Sequence, residues 1–440
     1  MSQPIELLQT LIRNGCVNDG TATSGHEHRS VATLQKFFGS PGQVFEPVPG
    51  RQSVVYRVAG SESNAPSLAM VPHLDVVPAD PNGWDRDPFG AEIHDGWIYG
   101  RGAVDMLNVT SAMAVAFRPY ITGEKVPAGD LIFAAVADEE SGGKYGAQLL
   151  VEDHWDLVGT DYLLTEVAYP TYDGEPGSAI PVSVGEKGAF WSVLTTSGTP
   201  GHGSAPYRSD NALEKMVSAV SGIFAGESPV TITDEWRAFV EELPLSDEVK
   251  NALTDPDRVD EAIESVAISD PLFARYAHAA TRLTVSPNRM HGGTKTNTIA
   301  DQARSEIDIR ALPGTSRVDI DVYLRKAMGS ASDDVDIDPV MDLEATLSPR
   351  DTHLWDVIAD SVEVVEGHRN IFPTTMTVAT DARFWRKKGT IAYGVGLFDD
   401  RTSFSEMLAL FHGHNEKVSV GSVEKTTRLY VEIFERFGRK

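Results

Sequence analysis

Three short apolar runs in this chain lack a helical period and stop at polar residues: Leu68-Ala-Met-Val71, residues 131–137 and Tyr162-Leu-Leu164. Runs of this kind predict fully buried parallel strands. A helical pattern follows the Gly100-Arg-Gly-Ala-Val-Asp105 turn over residues 107–117, and strand-like and helix-like stretches alternate through the first 180 or so residues. That alternation predicts an α/β domain with a mainly parallel sheet. After Pro181 the texture changes. Residues 190–196 alternate, 211–223 are helical, 282–285 and 303–310 alternate, 317–328 are helical and 334–338 alternate. The order β-α-β-β-α-β predicts a small antiparallel sheet with two helices on one face, an inserted α+β domain. Residues 227–280 interrupt it with acidic helix-forming sequence, read as a helical excursion of the insert. The expected division is a catalytic domain in two parts, 1–182 and 346–440, around an insert at 183–345.

Length agrees with two domains, because 440 residues exceed the roughly 250–300 at which one core stops growing. A formal net charge of −26 opposes binding to phosphate backbones and anionic membranes, so neither nucleic acid nor membrane is expected as a partner. No run approaches the roughly 20 apolar residues of a membrane span. The stretch from Met1 to Ile12 has no basic region followed by a long apolar one, and cytoplasm is the expected location. The single cysteine, Cys16, excludes an internal disulfide and reads as a small buried side chain, since no basic cluster adjoins it.

The strand ends carry the candidate chemistry. Residues 68–71 lead to His73 and Asp75, residues 131–137 to Asp138-Glu139-Glu140, and residues 162–164 to Glu166. In open α/β sheets ligands gather beyond the carboxyl ends of the strands, so these residues are expected at one site. His73 and Asp75 are two apart on an extended chain and point the same way, which would let the Asp75 carboxylate hold the second imidazole nitrogen. His-x-Asp alone is a weak signal. Asp105 sits in a glycine-bounded turn, where backbone can approach a ligand closely. Three successive carboxylates repel one another unless a cation balances them; the alternative for that triplet alone is a solvated acidic loop.

Pro72-His-Leu-Asp-Val-Val77, Trp84-Asp-Arg-Asp-Pro-Phe89, Tyr99-Gly-Arg-Gly-Ala-Val-Asp105, Asp138-Glu-Glu140 and Phe411-His-Gly-His-Asn-Glu416 resemble the ordered motifs of the dinuclear zinc exopeptidases and deacylases. That family includes carboxypeptidase G, aminoacylase, acetylornithine deacetylase and succinyl-diaminopimelate desuccinylase. The resemblance spans nearly the whole chain and implies a zinc-exopeptidase catalytic domain with a lid and dimerisation domain of the β-α-β-β-α-β kind. It implies two divalent metal ions, zinc or in its place cobalt or manganese, with Asp105 bridging them. His73 and Glu166 would complete one ion's ligands, Glu140 and His412 the other's. The pattern His-x-x-Asn-Glu selects His412 over His414. Three carboxylates against two divalent cations leave +1, which one bridging hydroxide would neutralise. Glu139 would be the general base, taking a proton from the metal-bridging water and passing it to the leaving amine. Asp75 would orient His73.

Gly198-Thr-Pro-Gly-His202 resembles the lid segment whose histidine reaches across a homodimer to the partner's oxyanion. Asn297 in Gly293-Thr-Lys-Thr-Asn297 and Arg310 in Glu306-Ile-Asp-Ile-Arg310 resemble residues that hold a substrate carboxylate, with Lys187 as a possible assistant. Two departures stand out: Leu107-Asn108 replace a Lys-Gly pair, and Val378-Ala379 replace a glycine pair ahead of Thr380-Asp-Ala-Arg383. The resemblance thus implies a hydrolase of an amide bond in a small carboxylate-bearing substrate, a dipeptide or an N-acyl amino acid. A catalytically silent metal- or peptide-binding relative is the alternative. A serine hydrolase lacks support, because no Gly-x-Ser-x-Gly elbow is present. A dinucleotide fingerprint fails for want of its third glycine.

Overall fold

The computed structural model describes residues 2–166, 170 and 178–437. The chain termini Met1 and Lys440, which bound the expected catalytic domain, lie outside them. Among the described residues, a nine-stranded sheet runs in the order Gln43–Val48, Arg51–Val58, Leu131–Ala135, Leu68–Met70, Tyr162–Thr165, Ile391–Gly394, Ile180–Glu186 and Thr346–Leu347, with Ile371–Met376 also paired to Ile180–Glu186. Its four central strands, Leu131–Ala135 to Ile391–Gly394, are mutually parallel. The flanking pairs are antiparallel except that of Ile371–Met376, so the sheet is mixed, parallel where the apolar runs predicted it.

Both faces of those central strands are covered, which is why their sequences do not alternate. Met70, Phe133 and Leu164 face helices Gln3–Asn14, Leu107–Ile121, His353–Glu366 and Val420–Phe437, while Ala69, Ile132 and Leu163 face Leu150 and Trp385 on the other side. Among the described residues no helix is long and apolar enough to cross a membrane.

A second, antiparallel sheet has the order Thr284–Gly292, Gln302–Ala311, Ser192–Ser197 and Val335–Pro339, with the short strand Gly188–Ala189 on Gln302–Ala311. Helices Ala212–Ala225 and Arg317–Met328 pack on it through Met216, Ile320 and Leu324. The element order is the β-α-β-β-α-β read from the sequence. Arg317–Met328 begins where Ser316 and Asp319 form a capping box.

The excursion is helical, as expected, in four helices: Asp234–Glu241, Asp247–Leu253, Val259–Ala267 and Pro271–Ala280. These helices do not extend the insert's core; they share one with the nine-stranded sheet. Phe239 packs at a tilt against Phe372 and Phe404 at ring separations of 5.9 and 5.7 Å, and Tyr276 meets Phe404 at 5.1 Å. Amphipathic pattern marks an apolar face without saying which domain covers it. Removing the central ring of this cluster in Phe239→Ala is expected to cost about 3–5 kcal/mol. Urea denaturation checks it, and an unchanged midpoint would show that the excursion is not part of the cooperative fold.

Candidate active site

The register of the central strands brings the candidate ligands to one edge. Met70 pairs with both Phe133 and Leu164, and Tyr393 pairs with Leu164, so the strand ends are level. His73 is buried, with Nε2 3.1 Å from Asp105 Oδ1 and Nδ1 2.9 Å from the main-chain oxygen of Asp75. A carbonyl only accepts, so Nδ1 donates and Nε2 is left for the cluster. Asp75 therefore orients His73 through its main chain; its carboxylate lies 3.7 Å from the ring. That carboxylate is drawn instead to the backbone N–H groups of Glu139 and Glu140, at 3.2 and 3.1 Å, and to the Asn18 amide at 2.8 Å.

The acidic turn is held from behind as well. Arg51, fully buried, donates to Asp138 at 2.8 Å and to Glu27 at 3.0 Å. Asp138 takes a left-handed φ of +72° and His412 one of +55°, conformations that side chains adopt when surrounding structure imposes them, often at functional sites. His412 Nε2 lies 3.2 Å from Glu140 Oε2 and 3.5 Å from Asp105 Oδ2. His414 packs on Gly83, where a Cβ would lie 2.3 Å from its ring. The cluster takes His412 of the two.

Two overlapping sets, His73 with Asp105 and Glu140, and His73 with Glu139 and Glu166, have ligand atoms within 4.8 Å of one another. Glu139 thus stands with His73 and Glu166 rather than apart from the ligands. Among the described residues, Glu140 Oε1 and Glu166 Oε1 are buried without hydrogen-bond partners. Burial, reinforced by the Glu166 charge, pushes Glu139 well above the ordinary carboxylate range; burial and Asp105 do the same to Glu166. Burial also opposes ionisation of Asp105, but hydrogen bonds from His412 and His73 outweigh it and hold that carboxyl low. The protein's own groups leave this cluster short of positive charge and with free oxygens turned inward. Both features fit divalent cations.

Glu416, the last residue of the Phe411-His-Gly-His-Asn-Glu416 motif, has a structural task. It is buried, accepts from Arg101 Nη1 at 2.8 Å, and accepts the backbone N–H groups of Gly102, Val104 and Asp105 at 3.0, 2.7 and 3.1 Å. It thereby fixes the turn that presents Asp105. Gly102 must be glycine there, with φ +85° and Val76 2.6 Å from any added Cβ. Arg383 braces the acidic turn from another side by donating to Gly142 O at 3.0 Å.

The cluster opens into a cavity of about 570 Å³ lined by Asp105, Glu139, Glu140, Glu166, His412 and Arg310, among others. Arg310 is held by Asp308, Nε at 2.7 Å and Nη2 at 3.2 Å, which leaves Nη1 as a donor for a ligand. Lys187 does not line the cleft. It is buried, and its ammonium donates to Ala279 O in the last turn of helix Pro271–Ala280 and to Arg282 O just beyond it, both at 2.8 Å. Burial, with the Arg310 charge, pushes it down to about 7. His202 and Asn297 are exposed neighbours joined by the His202–Thr298 bridge and a Gly203 N–H to Asn297 O bond of 2.8 Å. Neither lines the cavity. Cys16 is buried, and burial pushes its thiol up to about 12, which removes it as a nucleophile.

A mixed α/β fold with this cluster at the carboxyl edge of its parallel strands places the chain among metal-dependent hydrolases. It belongs to peptidase family M20/M25/M40, whose model matches residues 69–436. Succinyl-diaminopimelate desuccinylase of Maricaulis maris is 26% identical over 442 residues, 99% of this chain and 96% of that protein. The human N-fatty-acyl-amino acid synthase/hydrolase PM20D1 is 24% identical over 449 residues, 96% of this chain and 86% of that one. An M20 family metallo-carboxypeptidase, Sso-CP2, from Sulfolobus solfataricus superposes over 100% of both chains with a TM-score of 0.73 at 18% identity, a likeness of fold.

Replacing Glu416 by Gln keeps its volume but turns an amide toward backbone donors. The Asp105 turn should loosen and divalent-metal affinity fall about 10–100-fold, as read by competition with a chromophoric chelator. Unchanged affinity would separate Glu416 from the metal centre.

Proposed function

We propose that this protein hydrolyses an amide bond in a small carboxylate-bearing substrate, with two divalent cations held by Asp105 between His73 and Glu166 on one side and Glu140 and His412 on the other. The observation that carries this reading is the convergence of those side chains, with Glu139 beside them and Arg310 lining the same cleft. Mixed imidazole and carboxylate donors suit zinc, and cobalt or manganese as substitutes. Such cations, when bound, polarise an amide carbonyl and acidify water.

The chain's own groups supply the rest. Glu139 is the general base: it takes the proton of the attacking water and delivers it to the leaving nitrogen. Burial, reinforced by the Glu166 charge, raises its proton affinity, which suits a group that must hold a proton between two steps. Arg310 binds the substrate carboxylate through its unoccupied nitrogen. The exposed loop bearing His202 and Asn297 would act on the cleft of a partner subunit in a homodimer, donating to the oxyanion and the substrate carboxylate. A complete donor set with an adjacent base supports an active enzyme over a silent binding protein.

Glu139→Gln should retain both metals and lose about 10²–10⁴-fold in kcat; metal content by mass spectrometry beside turnover distinguishes base from ligand, since loss of a metal would make Glu139 a ligand. Arg310→Ala should raise KM for acyl amino acids by about tenfold while leaving that for the corresponding C-terminal amides little changed. Equal effects on acid and amide would remove carboxylate recognition from Arg310.

A further inference from the structure

Lys187 stands where the chain passes from the nine-stranded sheet into the second one. Its main-chain N–H donates to Met376 O at 2.9 Å, and the residues after it, Gly188–Ala189, pair with the end of strand Gln302–Ala311. In that pairing Ala189 lies opposite Arg310. Ala189 also exchanges main-chain bonds of 2.8 and 2.9 Å with Leu343, on the segment that returns from the second sheet. On the other side of Gln302–Ala311, the residue opposite Arg310 is Thr284. Arg310 thus has one neighbour from each flanking strand, and directly opposed residues share a face of the sheet.

The side chain of Lys187 joins those two flanks. It starts on the Gly188–Ala189 side of Arg310, and its ammonium donates to Thr284 Oγ1 at 3.3 Å on the other side, as well as to Ala279 O and Arg282 O. One group ties both neighbours of Arg310 and the last turn of helix Pro271–Ala280 into a single frame. Three donors meet three acceptors, so an apolar replacement would strand two main-chain oxygens. None of those acceptors is a carboxylate, and a buried cation without a counter-charge is costly. The charged groups around it are Arg310 and Asp308 on strand Gln302–Ala311, Arg282, His278 on helix Pro271–Ala280, and Asp260, which pairs with Arg282 from helix Val259–Ala267. Glu186, next in the chain, pairs instead with Arg386.

We propose that Lys187 is a positioning residue for substrate binding: from behind the cleft it fixes the strand end that carries Arg310, and its positive charge is coupled to the presence of a carboxylate on that arginine. This rests on the amide-hydrolase reading, with Arg310 on the substrate carboxylate, and deepens it. Burial and Arg310, with a smaller push from Arg282, outweigh Asp308 and bring Lys187 down to about 7. A carboxylate seated on Arg310 offsets that neighbouring cation and so favours protonated Lys187. By reciprocity, protonated Lys187 favours the bound carboxylate. Neutral Lys187 keeps two donors for three acceptors and loses its charge, so acid substrates should bind less well as pH rises through that range.

The test measures kcat and KM of the zinc-loaded protein for N-acetyl-, N-succinyl- and N-decanoyl-leucine and for leucyl-leucine, each beside its C-terminal amide, and carries the fastest pair forward. Lys187→Met should raise KM for the acid by at least about threefold, leave kcat and the amide's KM within about twofold, and add nothing in an Arg310→Ala background, as residues acting as a unit do. In the wild type the acid-to-amide KM ratio should rise between about pH 6 and about pH 8.5, as Lys187 loses its proton, and stay flat in Lys187→Met. Titrations within the cluster act on both compounds and cancel in that ratio. A kcat loss shared by acid and amide, additivity with Arg310→Ala, or a wild-type ratio independent of pH would overturn the positioning role and leave amide hydrolysis standing. If Lys187→Met does not fold, the wild-type profile decides alone. Cleavage of none of the compounds would overturn the amide-hydrolase reading and this inference with it.

Discussion

One buried aspartate holds this site together. Asp75 accepts from the His73 ring through its main-chain oxygen, while its carboxylate accepts the N–H groups of Glu139 and Glu140. It thus ties the end of one strand to the turn that follows its parallel neighbour. Two lengths of chain that meet only through tertiary folding are fixed to within a hydrogen bond of each other. Charge-assisted bonds to backbone donors are stronger than neutral ones, and here they are sealed from water. The spacing of His73, Glu139 and Glu140 follows from that carboxylate.

The same device recurs around the centre. Glu416 gathers three backbone donors of the Asp105 turn, and Arg51 gathers Asp138 and Glu27. Asp105, Glu140 and His412 are each presented by a segment whose main chain is bound by a buried charged group: Glu416, Asp75 and Arg101. Four carboxylates that repel one another can be kept close only if the backbone beneath them cannot relax. The left-handed conformations at Asp138 and His412 are local signs of that constraint.

Much of this was legible in the sequence for a simple reason. Residues 68–71, 131–137 and 162–164 are buried on both faces, so they carry no alternation, and their ends are marked by the first polar residues after them. His73, Glu140 and Glu166 follow those runs, Asp105 and His412 stand in ordered motifs, and the fold brings their side chains together. Roles that depend on what lies far along the chain were hidden. Lys187, flanked by Gly188 and Glu186, looks like an exposed strand lysine, and nothing local reveals that helix Pro271–Ala280 will end over it. Asp75 sits at the right spacing to use its side chain on His73, but the competing donors come from residues 139 and 140. The helical excursion announced its apolar faces without naming Phe372 and Phe404 as their partners.

That aromatic contact also bears on how a substrate enters. The helices of the excursion lead out of and back into the second sheet, with Val230 bridged to Arg282 at their root. Their rings are embedded in the body that carries the cluster. Swinging the second sheet outward as a jaw would drag Phe239 and Tyr276 off Phe372 and Phe404 and wet them. That contact therefore resists outward travel of the second sheet as a jaw, because the excursion anchors one side of it to the body that carries the cluster.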